Sequence, residues 1–326
     1  MKHTTKLILI LVIIGLLSAT LYGCNKKNTD PTRPEVQSTE AATDAPAEPL
    51  TQYGYFSTTA PVRTLEEIFA NEVAKDKTTF AAGSTYTEEQ INNVYKIADR
   101  IANYKEFVEK YNLHQQLDDL YEETGFTLDL GFGANMMQHY LGATAETYDF
   151  TERLPELLSH PKVSASQTTC INAAMKAAEN LVPDGQTVAA INQSKPMLFK
   201  SLKTQDGSVY YALGSYGAMA DLSNVQRTGN TMTATVTFRI TDYYDWDETI
   251  TTPEFADYLD RLNDDYRALF SDVVDFPTLE GFCQADMAQL HNAGFAQNFM
   301  AFGTIVYQIT WTVGQTFDQA TVTTVQ

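Results

Sequence analysis

From Ile91 to Ala102, apolar side chains return every three or four positions: Ile91, Val94, Tyr95, Ala98, Ile101 and Ala102, with Ile97 and Tyr104 widening the same face. That spacing predicts an amphipathic helix. Thr87 followed three residues later by Gln90 supplies its capping box. Thr64, with Glu66 and Glu67 behind it, predicts an earlier helix start over 63–69. Leu113, Leu117, Leu120 and Tyr121 repeat the helical period before Gly125. Residues 129–141 and 164–182 complete a set of about five helices, closed by Pro183-Asp184-Gly185.

The period then changes. Residues 207–216 read as a strand, and 231–240 alternate polar and apolar residues as a half-buried strand does. Gly229-Asn230 places a turn between them. Helical stretches over 253–269 and 279–302 follow, and a strand over 304–313 is expected to rejoin the hairpin. The predicted class is α+β: a helical N-terminal half packed with a small antiparallel sheet and two further helices. A three-stranded sheet needs one face covered, so residues 53–326 are expected to fold as one body, with any subdivision near 183–206. No internal repeat is visible.

The N-terminus has a different character. Lys2 and Lys6 precede the apolar run 7–17, and Leu21-Tyr22-Gly23-Cys24 closes it. This order predicts a secretory signal over 1–23 rather than a membrane-spanning anchor. The L-x-G-C ending resembles the lipobox of bacterial lipoproteins. That resemblance implies acylation of Cys24 by diacylglyceryl and palmitate, and attachment to the extracytoplasmic face of the cell membrane. Residues 25–52 carry Pro31, Pro34, Pro46 and Pro49 with almost no large apolar side chain, so they are expected to form a disordered tether. Such a tether spans roughly 30 Å.

Losing Lys2 and Lys6 with the signal leaves 20 basic side chains against 41 acidic ones, a formal charge of about −21. That field repels nucleic acid and suits cations, neutral glycans, peptides or basic proteins. It also serves solubility alone. Beyond Cys24 the cysteines are Cys170 and Cys283. They form either one disulfide, worth about 4–5 kcal/mol for so long a loop, or two buried thiols. There is no C-x-x-C, H-E-x-x-H, Walker loop or dinucleotide fingerprint, and Gly214-Ser215-Tyr216-Gly217 lacks the first glycine of a nucleophile elbow.

Candidate chemistry gathers at Asp242-Tyr243-Tyr244-Asp245-Trp246-Asp247-Glu248, four carboxylates in seven residues at a strand end. Asp242, Asp245, Asp247 and Glu248 suit a calcium ion, though the EF-hand order is absent; the plain alternative is a solvated acidic loop. Tyr244 and Trp246 suit a glycan face. Asp242, Asp245 and His291 are the candidates for hydrolysis. No catalytic constellation is complete. Surface binding or assembly with a glycan, peptide or protein therefore leads, and hydrolysis of an envelope or external polymer is the rival.

The block from Asp242 to Asp247, Leu290-His291-Asn292-Ala293-Gly294-Phe295-Ala296-Gln297-Asn298-Phe299, Gly303, Trp311 and Gly314 resembles a C-terminal module of uncharacterised exported and toxin-associated bacterial proteins, over 207–314. It implies a toxin-related or immunity-type partner protein as a third reading. Asp242, Tyr244 and Asp245 also match the D-x-Y-D start of the lipid II phosphoesterase motif of colicin M-like toxins. The His-Arg that should follow is missing from 246–252, and with it the implied base and phosphate ligand.

Overall fold

In the computed structural model, which describes residues 55–103, 106, 109, 131–200, 209, 212–250 and 283–325, three 14-residue strands form the spine of an eight-stranded sheet. They are β5 (Ser215–Thr228), β6 (Thr231–Tyr244) and β7 (Phe299–Thr312). The short strands are β1 (Phe56–Ser57), β2 (Tyr148–Asp149), β3 (Thr187–Gln193), β4 (Met197–Lys200) and β8 (Thr321–Val325). The main path runs β1-β3-β5-β6-β7-β2. β3 and β4 share the outer edge of β5, and β2 and β8 share that of β7. All pairings are antiparallel except β2 with β7.

Seven helices accompany the sheet among the described residues: α1 (Leu65–Ile68), α2 (Ala70–Ala82), α3 (Glu88–Ala102), α4 (Gly131–Leu141), α5 (Leu154–Leu157), α6 (Pro161–Leu181) and α7 (Gln284–Asn292). The class is α+β, as the sequence predicts. All described residues belong to one compact unit spanning 51–326. No described helix is long and apolar enough to cross a membrane.

The caps read from sequence form. Thr64 and Glu67 make a reciprocal capping box on α1. Gln90 N donates to Thr87 Oγ1 while Thr87 N donates to Gln90 Oε1. α6 lies across β3, β5 and β6, burying Ala173, Ala174, Ala177 and Ala178, whose small side chains let helix and sheet approach closely. At its end Glu179 is buried against β7. Its Oε1 accepts from Trp311 Nε1 (3.3 Å) and Gly314 N (2.7 Å), and Lys176 Nζ reaches its Oε2 at 2.9 Å. Gly303 on β7 faces Phe150, where a Cβ would meet ring carbons at 2.5 Å.

Several expectations change. The sheet has eight strands rather than about three. The strand expected over 207–216 begins only at Ser215; Val209, Ala212 and Leu213 are helical, and Gly214 at φ +55 makes the exit that an L side chain disfavours. The helix expected over 279–302 is cut to Gln284–Asn292, because Gly294 (φ +80) turns the chain and Phe299 already opens β7. Cys170 and Cys283 are separate buried thiols, with Cys170 Sγ 3.8 Å from Met197 Sδ. The signal, Cys24, the tether and the helices expected over 113–121 and 253–269 lie outside the described residues.

Candidate functional site

Tyr244 and Phe299 are register partners where β6 ends and β7 begins, and their rings stack at 5.0 Å. Just outside that last pair stand Asp245 and Asn298. They help to line a pocket with two helices. α2 presents Glu72, Lys75, Asp76 and Thr79, positions i, i+3, i+4 and i+7 of one face. α7 presents Ala288, His291 and Asn292, and Trp246 and Glu248 complete the wall.

α7 is held firmly over this end of the sheet. Asp286 Oδ2 accepts from Cys283 N (2.7 Å) at its start, and Tyr86 OH donates to Asp286 Oδ1 (2.5 Å). Gln289 Oε1 accepts from Thr85 N (2.9 Å) and Ser84 Oγ (3.0 Å) in the turn after α2. Tyr140 OH donates to the Met287 carbonyl at 2.9 Å. These contacts set the spacing of α2 and α7, and so the width of the pocket.

At its floor, His291 Nε2 lies 3.1 Å from Asp76 Oδ1. Both side chains are largely buried, at 6 % and 17 % exposure. Asn298 Nδ2 donates to the same Asp76 oxygen. Burial alone would push the Asp76 carboxyl up; His291, Asn298 and Tyr243 outweigh it and hold the group below its ordinary value. His291 Nδ1, Asn292 Oδ1 and Asn298 Oδ1 are buried without a hydrogen-bond partner, and His291 Nε2, though close to Asp76, is not aligned for a hydrogen bond. Asp245 is exposed at the rim, yet desolvation and the carboxylates of Asp76, Asp247 and Glu72, opposed by Lys75, raise it to about 6.

The structure separates the residues of the acidic aromatic segment. Asp242 is buried in β6 and does not line the pocket; desolvation, then the charge of Asp245, drives its carboxyl well up. Tyr244 is core. Asp247 is occupied with the local turn, accepting from Thr249 N (2.8 Å) and Oγ1 (2.7 Å). Trp246 is half-buried, edge-on to Tyr244 at 5.8 Å, and lines the pocket. So Asp245, Trp246, Glu248 and His291 meet, while Asp242, Tyr244 and Asp247 stand apart. Among the described residues no three His, Cys, Asp or Glu side chains converge to hold a metal ion.

Sequence reasoning missed Lys75, Asp76, Asn292 and Asn298. In α2 no residue is buried, so Asp76 reads as part of a solvated face. Asn292 and Asn298 flank the glycine that ends α7, and only the turn at Gly294 brings both to one cavity.

The pocket is a half-open cleft with a volume of about 30 Å³ within reach of water. Four carboxylates (Glu72, Asp76, Asp245, Glu248) face one lysine and one histidine across it. No protein-family model, curated protein or solved structure matches the chain.

Proposed function

We propose that this is a lipid-anchored extracytoplasmic protein, tethered through Cys24, whose folded body binds a ligand in the pocket between α2, α7 and the β6 end. The observation that carries the binding reading is the half-open pocket itself, whose wall brings the half-buried Trp246 together with the largely buried Asp76–His291 pair and with Asn292 and Asn298. An aromatic wall adds a surface for the ligand's apolar part.

The test is a thermal-shift screen of the full chain against oligosaccharides, peptides and amines, with Asn292→Leu as the comparison. A ligand that stabilises wild type and not Asn292→Leu supports the reading. Ligands that stabilise both equally contradict it.

Hydrolysis is the second reading, favoured by the Asp76–His291 contact, which resembles an oriented base, with Asp245 on the same pocket. A polymer-hydrolysis screen in which His291→Gln abolishes activity and Asp242→Asn retains it would favour this reading. A toxin-related or immunity-type partner would instead appear in the first screen as a peptide ligand.

A further inference from the structure

We propose that α2 is a lid, a helix that lifts from the folded body as a unit and gates access to His291. From Ser57 to Thr85 no side chain is buried or packs against the hydrophobic core, although Phe56 before it and Ile91 after it are core. Both α1 and α2 lie in that stretch. Burial of apolar surface is the main force that holds an element down, so α2 belongs at the low end of local stability.

The stretch is tied at its two ends. Before α1, Asn192 Nδ2 donates to the Ala60 carbonyl (2.7 Å) and an Arg239 guanidinium N–H to that of Arg63 (3.1 Å). After α2, Ser84 and Thr85 hold Gln289. Two joints lie between these anchors: Phe69, where α1 stops and α2 starts, and Gly83, which ends α2 at φ +77. Turning α2 about the line between the joints carries the face of Glu72, Asp76 and Thr79 off the pocket and leaves both anchors in place.

Polar and ring contacts hold the length of the helix. Asp76 stands 3.1 Å from His291 Nε2 and accepts from Asn298 Nδ2. The Phe80 ring lies 5.1 Å from that of His291, and Phe69 lies 5.7 Å from Tyr243. Phe80 is still 42 % exposed, so it covers His291 without anchoring α2 in the core. Beneath this cover His291 Nδ1 and Asn298 Oδ1 have neither surface nor partner. Opening hydrates both groups, which lowers its cost. It also joins His291 and Asn298 to the cleft lined by Asp245 and Trp246, as one deeper site. The lid goes beyond the binding reading, and its test needs no ligand, so either can fail alone.

The test is hydrogen exchange on the ¹⁵N-labelled full chain. Amides of α2 should exchange through openings that leave β5, β6 and β7 protected. Asp76→Asn should speed α2 about tenfold, the loss of charge from its bond to Asn298, and leave β6 unchanged. Ala74→Pro, at an exposed position, should remove protection from α2 while the three long strands keep theirs. In that variant the His291 ring C2 proton should also exchange faster, with that of His160 at the start of α6 as the control. Four results would each overturn the lid: α2 amides as slow as those of β6, equal acceleration of α2 and β6 in Asp76→Asn, strands that lose protection in Ala74→Pro, or an unchanged His291 ring there.

Discussion

His291 on α7 meets Asp76 on α2 at 3.1 Å, the one contact between an imidazole and a carboxylate among the described residues that joins these two helices. It links segments more than 200 positions apart in sequence and sets the floor of the pocket. Because both side chains are largely buried, their coupling is expected to exceed that of a surface pair. A double-mutant cycle with Asp76→Asn and His291→Gln, read by urea unfolding, should give a coupling of about 1–2 kcal/mol. Additive effects would mean that the contact is geometric only.

The two carboxyl groups of this site shift in opposite directions, which predicts a two-part pH profile. Asp76 lies below its ordinary value of 3.8 in the folded chain, so its contribution is present above about pH 4 and is lost as pH falls through the folded value. Asp245 is raised to about 6, so its contribution is present below about pH 4 and is lost as pH rises from there to 6. Urea midpoints measured across pH 3–7 should therefore show Asp245→Asn flattening a decline between pH 4 and 6. Asp76→Asn should lower the midpoints above about pH 4 and converge on wild type as the pH falls below it. An identical profile for Asp245→Asn and wild type would contradict this.

Gly303→Ala should destabilise the chain by about 1–3 kcal/mol with an unchanged denaturant slope. The added methyl would enter the Phe150 ring, and Phe150 is itself buried and cannot move freely. Retained stability would show that the strand and ring can separate at little cost.

Trp311→Phe should cost about 1–3 kcal/mol by removing an N–H from the buried Glu179 carboxylate. A second substitution, Glu179→Gln, should reduce that cost, since the remaining group is neutral and less demanding of donors. Equal losses in either background would place the effect in packing rather than in the hydrogen bond.

How far the sequence can be read follows from burial. β6 is legible because it alternates exposed or half-buried with buried positions along most of its length. β5 is not, because Tyr216 to Leu222 are buried without interruption; with both faces covered, the period of two disappears. β3, β4 and β8 are short edge strands that owe their pairing to β5 and β7 rather than to a strong pattern of their own. The α7 region looks helical through Phe302 until Gly294 is allowed to turn the chain. Asp245 and His291 stand out in sequence as a carboxylate in an acidic cluster and a lone histidine. Asp76 does not, since its role comes entirely from the helix packed opposite.

The most direct test uses the two tryptophans as site and control. Trp246 lines the pocket, whereas Trp311 is buried beside α6. In a ¹⁵N-labelled full chain each gives one indole N–H resonance, assigned by Trp246→Phe. On titration with a ligand that stabilises wild type and not Asn292→Leu, the Trp246 resonance should shift and saturate while that of Trp311 stays in place. A stationary Trp246 resonance, or equal movement of both, would contradict a ligand-binding pocket at the junction of α2, α7 and β6.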